Sequence, residues 1–477
     1  MTERLCIRNI LTADPVGGEA THKTFFIADG VIAAVVEGDA TPELGVGVIE
    51  GKDRLLMPGL VNAHMHSPLN VLKGTGDVLN HVAFMWRNQA DTVGRTPDEV
   101  RLSALMGSIE HLLNGTTTVV DHFPEQGFAA QDVDAVVDAY STAGMRALVA
   151  LRIFDEPYTD IEPPSGLPAG DVDNPLTPPP LDETLALVAS SIEHHDHAAG
   201  GLIRVCPAPS NPMRCSDKLL TGVRDMADQY DTPIHMHLLE TAIQARIARG
   251  RYGTSMVRHM DDLGFVSPRL STAHSIWLDD DEIAIMAARG AVPVHNPDSN
   301  LKLGAGIAPI AKMLRAGIPV ALGTDGASTN DNLDLHEVMR IAIMLQRPGT
   351  PDRAHWPTAQ DALRMATVNG GKVLGIDRLG SLAPGAPADL VLHDLTAPFW
   401  APLNDPVLQL VFGASGSTVD TVIVNGRIVV EGRRILSFDA AAVMAEAGDL
   451  VRHLRARNAG VGAWVRQIEK ATRDAPP

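Results

Sequence analysis

MPGLVNAHMH, residues 57–66, is a short apolar run that ends on polar side chains, and seven later runs repeat its plan. They are GTTTVVDHF (115–123), RALVALRIF (146–154), LIRVCPAP (202–209), PIHMHLLE (233–240), LSTAHS (270–275), AVPVHNP (291–297) and PVALGTDG (319–326). Between them lie segments such as DEVRLSALMGSIEHLLN, with apolar residues at three- and four-residue spacing, the period of a helix packed on one face. That segment opens Thr96-Pro97-Asp98-Glu99: a hydroxyl N-cap, a proline in the first turn and an acid three residues on. Several helical segments end in Gly just before the next strand, as a helix C-terminus prefers. Eight strand–helix alternations predict an α/β chain whose residues 57–377 form a (β/α)8 barrel, with the working side chains at the strand C-terminal ends.

The flanks have a different rhythm. Residues 1–56 and 378–440 hold short alternating runs punctuated by Gly (CIRNILTAD, KTFFIADGVIAAVV, ADLVLHDL, DTVIVNGRIVVEG), which predict one small β-sandwich built from both chain ends. Residues 441–477 have a helical pattern rich in Ala, Glu and Arg. The proline-rich stretch 156–180 predicts a loop leaving the third strand and lying over the barrel mouth.

Composition narrows the function. The chain of 477 residues is 45% hydrophobic and 20% charged, enough for a large core. Its 39 Lys and Arg against 58 Asp and Glu give a net charge of −19, which argues against nucleic acid and against anionic membranes. Three cysteines (Cys6, Cys206, Cys215) make no disulfide framework, and no apolar run has the length of a signal peptide or a membrane span. The expectation is a cytoplasmic protein acting on a small molecule. Crossover helices rich in Ala, Met and Leu fit a homo-oligomer, a dimer or higher.

The 18 histidines form three H-x-H pairs, so position has to separate them. His195 and His197, in EHHDHAAG at a helix end, read as solvated side chains that complement the helix dipole. His64 and His66 end the first strand, and i, i+2 spacing puts both rings on one face. His237 ends the fifth strand, His274 the sixth, and Asp325 the eighth. Four imidazoles and a carboxylate at strand ends converge on one mouth, and that ligand set suits a borderline divalent ion, Zn²⁺ first and Fe²⁺ second. Glu240, three residues past His237, faces the same mouth as a carboxylate that is not a ligand. A bound metal lowers the pKa of its water, Asp325 is placed to take that water's proton, and Glu240 to hand one to the substrate.

MPGLVNAHMH, HMHLLE, STAHS, HNPDSNLKLGAGIAP and LGTDGASTND, in this order, resemble the amidohydrolase superfamily. The similarity runs over nearly the whole chain and is closest to the branch that holds S-adenosylhomocysteine deaminase, guanine deaminase and the s-triazine hydrolases. GGLIRVCPAPS, TNDNLDLHEVM and VFGASGSTVDTVIVNG look most like atrazine chlorohydrolase and melamine deaminase. The resemblance implies that His64, His66, His237 and Asp325 hold one metal ion, that Glu240 protonates a ring nitrogen, and that His274 orients the attacking water. It implies an aminohydrolase that attacks a ring carbon of a triazine, pterin, purine or pyrimidine and releases ammonia. Other members expel chloride or an amine, or cleave an amide, urea or carbamate, with the same machinery.

Metal count and substrate follow from what the chain lacks. Two-metal members bridge their ions with a carboxylated lysine on the third or fourth strand. No lysine occurs between Lys73 and Lys218, so a single ion is expected, with Cys206 as a small buried thiol. Nucleoside deaminases of this branch carry a Pro-x-Glu after a Trp and a Pro-His on the fourth strand. Here MWRNQADTVGRTPDE has no such acid, and Pro207-Ala208-Pro209 replaces the Pro-His. The expected pocket residues are Leu69, Trp86, Gln89, Arg152, Asn211, His274, Asp298 and Asn300. Trp86 is suited to stack on a flat ring, Gln89 to read its edge, and Asp298 to favour an amino group over a halide.

Overall fold

The computed structural model describes residues 4–42, 44–77, 81–124, 127–156 and 178–473; the side chain of Gln89 and those of a few other helical residues lie outside that description. The N-terminal strands are β1 (Leu5–Thr12), β2 (His22–Ala28), β3 (Val31–Glu37), β4 (Gly47–Glu50) and β5 (Arg54–Pro58). Then come β6 (Leu60–Met65), β7 (Thr116–Phe123), β8 (Arg146–Ile153), β9 (Ile203–Pro209), β10 (Ile234–Leu238), β11 (Leu270–His274), β12 (Val292–His295) and β13 (Ala321–Leu322). The C-terminal strands are β14 (Leu390–Asp394), β15 (Val419–Val424), β16 (Arg427–Glu431) and β17 (Arg434–Ile435).

Each of the eight apolar runs contains one of the strands β6 to β13. Parallel pairing joins β6-β7-β8-β9 into one sheet and β10-β11-β12-β13 into another. Backbone hydrogen bonds tie the two sheets at both edges. The Ser210 carbonyl, just past β9, accepts the His237 N–H of β10 at 3.1 Å, and the His64 carbonyl of β6 accepts the Asp325 N–H past β13 at 3.0 Å. Beside the second seam, Asn62 Nδ2 donates to Thr324 Oγ1 at 2.7 Å and the Thr324 N–H donates to Asn62 Oδ1 at 3.0 Å. Every residue of β7 and β8 is buried, as parallel strands covered on both faces must be.

Positions i, i+2 share a face, and along that face the chemistry changes. Leu148 and Ala150 of β8 and Cys206 and Ala208 of β9 belong to one apolar cluster, and the next positions on the same faces are Arg152 and Ser210. Cys206 is fully buried there, and burial pushes its thiol far above the ordinary range. An apolar plug therefore fills the lower part of these strands, leaving their C-terminal ends for polar side chains.

The crossover helices begin as their sequences require. In Pro97–Leu113, Thr96 accepts the Glu99 N–H and the Glu99 carboxylate accepts the Thr96 N–H, a complete capping box. Gly290 closes the helix Asp280–Arg289 at φ 74°, a conformation that favours glycine.

The strands of the two chain ends meet in one small domain. They hydrogen-bond in one continuous nine-stranded sheet, β17-β16-β15-β14-β5-β1-β2-β3, with β4 on β1. β5 is the cause: it runs parallel to β1 and antiparallel to β14, so it joins the two chain ends edge to edge. This sheet has its own core of Ile7, Ile10, Phe25, Leu390 and Ile423. The run 57–66 thus spans a boundary at Gly59, where a Cβ would lie 2.1 Å from Thr117 Oγ1. A buried ion pair, Arg146 to Asp389 at 2.8 Å, links β8 to the end sheet.

The C-terminal helices Ala440–Arg457 and Ala459–Arg473 pack back on the molecule. Leu450 and Leu454 join Leu102, while Arg455 pairs with Asp91 at 3.0 Å. The tail therefore braces the helix His81–Thr92. No helix among the described residues is long and apolar enough to cross a membrane. The loop expected over 156–180 falls almost wholly outside the described residues.

Candidate metal centre

His64, His66, His237, His274, Glu240 and Asp325 all come together at the strand C-terminal ends, each under 10% exposed. His66 Nε2 lies 3.3 Å from His237 Nε2 and 3.3 Å from Asp325 Oδ1, and His64 Nε2 lies 3.5 Å from the same oxygen. His274 and Asp325 adopt left-handed backbone conformations, φ 71° and 59°, a strain that persists only where the surroundings fix it.

Hydrogen bonding decides which ring nitrogens carry protons. A carbonyl oxygen only accepts, so His66 Nδ1 donates to the His122 carbonyl (2.9 Å) and His237 Nδ1 donates to the Ser210 carbonyl (2.7 Å). His64 is set through a relay. Ser271 Oγ donates to the Ile234 carbonyl and so accepts from His235 Nδ1 at 2.7 Å. That leaves His235 Nε2 to accept from His64 Nδ1 at 2.8 Å. All three Nε2 atoms therefore aim lone pairs at one point beside a carboxylate oxygen, and His64 Nε2 is buried with no hydrogen-bond partner. Burial lowers the His64 imidazole to about 4 and the His237 imidazole well below its usual value, so both are neutral at pH 7. Burial alone would raise the Asp325 carboxyl, but the imidazoles of His64 and His66 beside it outweigh burial and lower the group well below the ordinary carboxylate range, so it is ionised. Three lone pairs and an anion that share no proton are mutually repulsive; a divalent cation at their centre removes the repulsion. The donor set fits the metal.

Around this cluster the remaining groups are oriented as well. Asp325 Oδ2 accepts from Ser299 Oγ at 2.5 Å and Oδ1 from the Gly326 N–H at 2.8 Å. His274 Nδ1 donates to Asn300 Oδ1 at 2.9 Å, which turns its Nε2 toward Glu240 Oε1 at 3.9 Å. Glu240 Oε2 accepts from His81 Nε2 at 3.1 Å. Burial would raise the Glu240 carboxyl, but His274 and His81 draw it down to about 2, so it is ionised.

A cavity of about 30 Å³ meets these groups, walled also by Leu69, Phe84, Met85, Asn88 and Arg152. Of the expected pocket residues, Leu69, Arg152 and His274 line it. The other described ones do not. Trp86 is buried at 1% exposure on the same helix as Phe84 and Met85, outside the cavity wall. Asn211 caps the short turn Pro212–Arg214 by accepting the Arg214 N–H at 3.1 Å, and Asn300 is engaged with His274. Asp298 is half-buried, with its Oδ2 buried and unpartnered; burial and nearby Glu337 raise it to about 7. The side chain of Gln89 lies outside the described residues.

Sequence reasoning passed over three histidines. His122 stands at the end of β7 and its ring joins the cluster, as the strand-end rule would have found. His235 belonged to an H-x-H pair of which only His237 was used. His81 opens the helix His81–Thr92. Its contact with Glu240, 159 positions away, left no signal in the sequence.

Imidazoles and a carboxylate at the ends of parallel strands, with an ionised Glu beside them, define a metal-dependent hydrolase. Residues 55–429 match the model of the Amidohydrolase family, and the chain belongs to that family. It is 33% identical over 452 residues to a 5'-deoxyadenosine deaminase of Methanosarcina mazei, covering 94% of this chain and 97% of the relative. It is 32% identical over 455 residues to a 5-methylthioadenosine/S-adenosylhomocysteine deaminase of Syntrophobacter fumaroxidans, covering 94% and 97%. An adenosine deaminase structure from Xanthomonas campestris with bound zinc superposes with a TM-score of 0.84 at 30% identity, over 95% of this chain and 98% of that one. An atrazine chlorohydrolase from Arthrobacter aurescens complexed with zinc superposes with a TM-score of 0.82 at 27% identity, over 94% and 100%.

Proposed function

We propose that this chain is a metal-dependent aminohydrolase that replaces an exocyclic amino group of an N-heteroaromatic ring by hydroxyl and releases ammonia. The observation that carries the reading is the set of three lone pairs and the Asp325 carboxylate meeting within reach of Glu240. His64, His66, His237 and Asp325 would hold one divalent ion, Zn²⁺ before Fe²⁺, which would supply a water of lowered pKa. Asp325 is placed to receive a proton from the attacking water and to pass it to the departing amino group, which leaves as ammonia. Glu240, ionised in the free site, must gain a proton before it donates one to the ring nitrogen, and His81 and His274 are the groups beside it. His274, fixed by Asn300, holds the attacking oxygen on its line. Arg152 stands between the small cavity and a second one of about 270 Å³ lined by Phe128, Phe154 and Leu187, which gives a ring substituent room to extend.

The relatives named for adenosine derivatives make the 6-aminopurine ring the first substrate to try, although the ribose-gripping Pro-x-Glu of nucleoside deaminases is missing here. In this reading the two parallel sheets are halves of one (β/α)8 barrel over 57–377. Residues 1–56 and 378–440 form the end domain, and 441–477 the helical tail. The three cysteines are free, which supports the cytoplasm, and a homo-oligomer remains part of the proposal.

The test is ammonia release from 5'-deoxyadenosine, 5'-methylthioadenosine, adenine, pterins, pyrimidines and s-triazines, with elemental analysis of the same sample. Ammonia from one ring class and a catalytic metal that is lost with His64 or His237 is the expected result. Chloride, an amine or an acid as the product, without ammonia, would overturn the deaminase reading in favour of a dechlorinating or amide-cleaving hydrolase.

A further inference from the structure

Away from the strand ends, one other group of imidazole and carboxylate side chains converges among the described residues: His194, His195 and Asp134. The helix Leu181–His195 ends on Glu193-His194-His195, followed by Asp196 in an extended conformation (φ −62°, ψ 133°). Neighbours on a regular helix face different ways. At this helix end, however, the two imidazoles lie edge to face with ring centroids 4.5 Å apart. Asp134, on the adjacent helix Ala130–Ala143, reaches across with Oδ1 2.8 Å from His195 Nε2. One donor atom from each residue lies within 4.8 Å of the others.

The charged neighbours are committed elsewhere. Glu193 accepts the Tyr230 hydroxyl at 2.6 Å, Asp196 pairs with Arg204 at 2.8 Å, and His197 lies 3.3 Å from Asp196. Two imidazoles and one carboxylate are left facing one point on the outer surface. We propose that His194, His195 and Asp134 form a second, peripheral site for a divalent cation of the zinc class, which clamps the two helices together. Two nitrogens and an oxygen with water in the fourth position suit tetrahedral Zn²⁺. Zn–N distances of about 2.0–2.1 Å put neighbouring donors about 3.4 Å apart, inside the span the three donors already cover. The net charge of −19 favours the cation further.

The site is separate from catalysis. Leu181–His195 has 15 residues, about 22.5 Å at 1.5 Å each. Its N-terminal half, not this end, carries Glu183, Thr184 and Leu187 beside the second cavity. The proposal also does not depend on the deaminase reading. It matters for any metal count, because a second equivalent bound here would imitate a binuclear centre.

The test titrates the enzyme, loaded with one equivalent of metal, with Zn²⁺ alone against a chromophoric chelator. The wild type should take a second equivalent per chain and show a rise in Tm over the same zinc range. His194→Ala/His195→Ala should take none and show no zinc-dependent rise, with catalytic activity equal to wild type. Asp134→Asn should weaken the second equivalent at least about tenfold, a fold-change matching the loss of one ligand. The melting curve of each variant without added zinc shows whether it is folded. Equal second equivalents in wild type and double variant would overturn the proposal, as would saturation only at millimolar zinc, which would mean an adventitious ion only.

Discussion

The two histidine clusters use the same side-chain types and differ in what surrounds them. At the strand ends His64, His66 and His237 are buried, and each Nδ1 is tied to a backbone carbonyl directly or through His235 and Ser271. On the outer helix His194 is exposed, and His195 has an exposed aspartate as its partner. The difference teaches that ligand identity does not make a metal centre; fixed tautomers and the exclusion of water do. The buried cluster is organised before any ion arrives. The outer one has to be organised by the ion, so it should bind more weakly and exchange faster.

That contrast can be broken in graded steps. The largest effect belongs to His64→Ala and His237→Ala: elemental analysis should show loss of the catalytic metal, and activity should fall to background. Retention of the metal in either would erase the distinction between the clusters. Glu240→Gln should keep the metal and lower kcat by about 10²–10⁴ with little change in KM, because it removes only the proton carrier. Next come the orienting groups. His235→Phe breaks the relay that fixes His64, and a fall of about 10–100-fold in metal affinity by chelator competition is expected. Asn300→Ala frees His274, and a comparable fall in kcat with the metal still bound would separate its role from that of His235.

Asp298 gives the smallest effect, on stability. Its folded pKa of about 7 lies above the ordinary 3.8, so between those values the folded chain holds a proton that the unfolded chain has lost. The contribution is fully present below about pH 4 and is lost as pH rises through about 7. The ceiling is about 4 kcal/mol, three units at 1.36 kcal/mol each. Urea unfolding of the wild type and Asp298→Asn from pH 4 to 8 should show the slope flatten in the variant. An unchanged slope would mean that Asp298 is not the group responsible.

The sequence by itself determined the eight strands, their order and five of the six groups at the mouth by a single rule. Apolar runs must be buried, and a run that ends on polar side chains puts them where the sheet meets solvent. Glu240 followed from its distance along the chain from His237. The capping box at Thr96 was equally legible, because it is local. Only the tertiary structure decided the remainder, because those decisions join residues far apart in the chain. β5 pairs with β14 some 330 residues away and joins the two chain ends in one sheet. His81 meets Glu240, and His235 settles the tautomer of His64, through packing that no periodicity records. Trp86 and Asn211 carried side chains suited to a substrate, but the fold used one for packing and the other for a cap. Side-chain chemistry states what a residue is able to do, and burial with its hydrogen-bond partners selects which of those things it does.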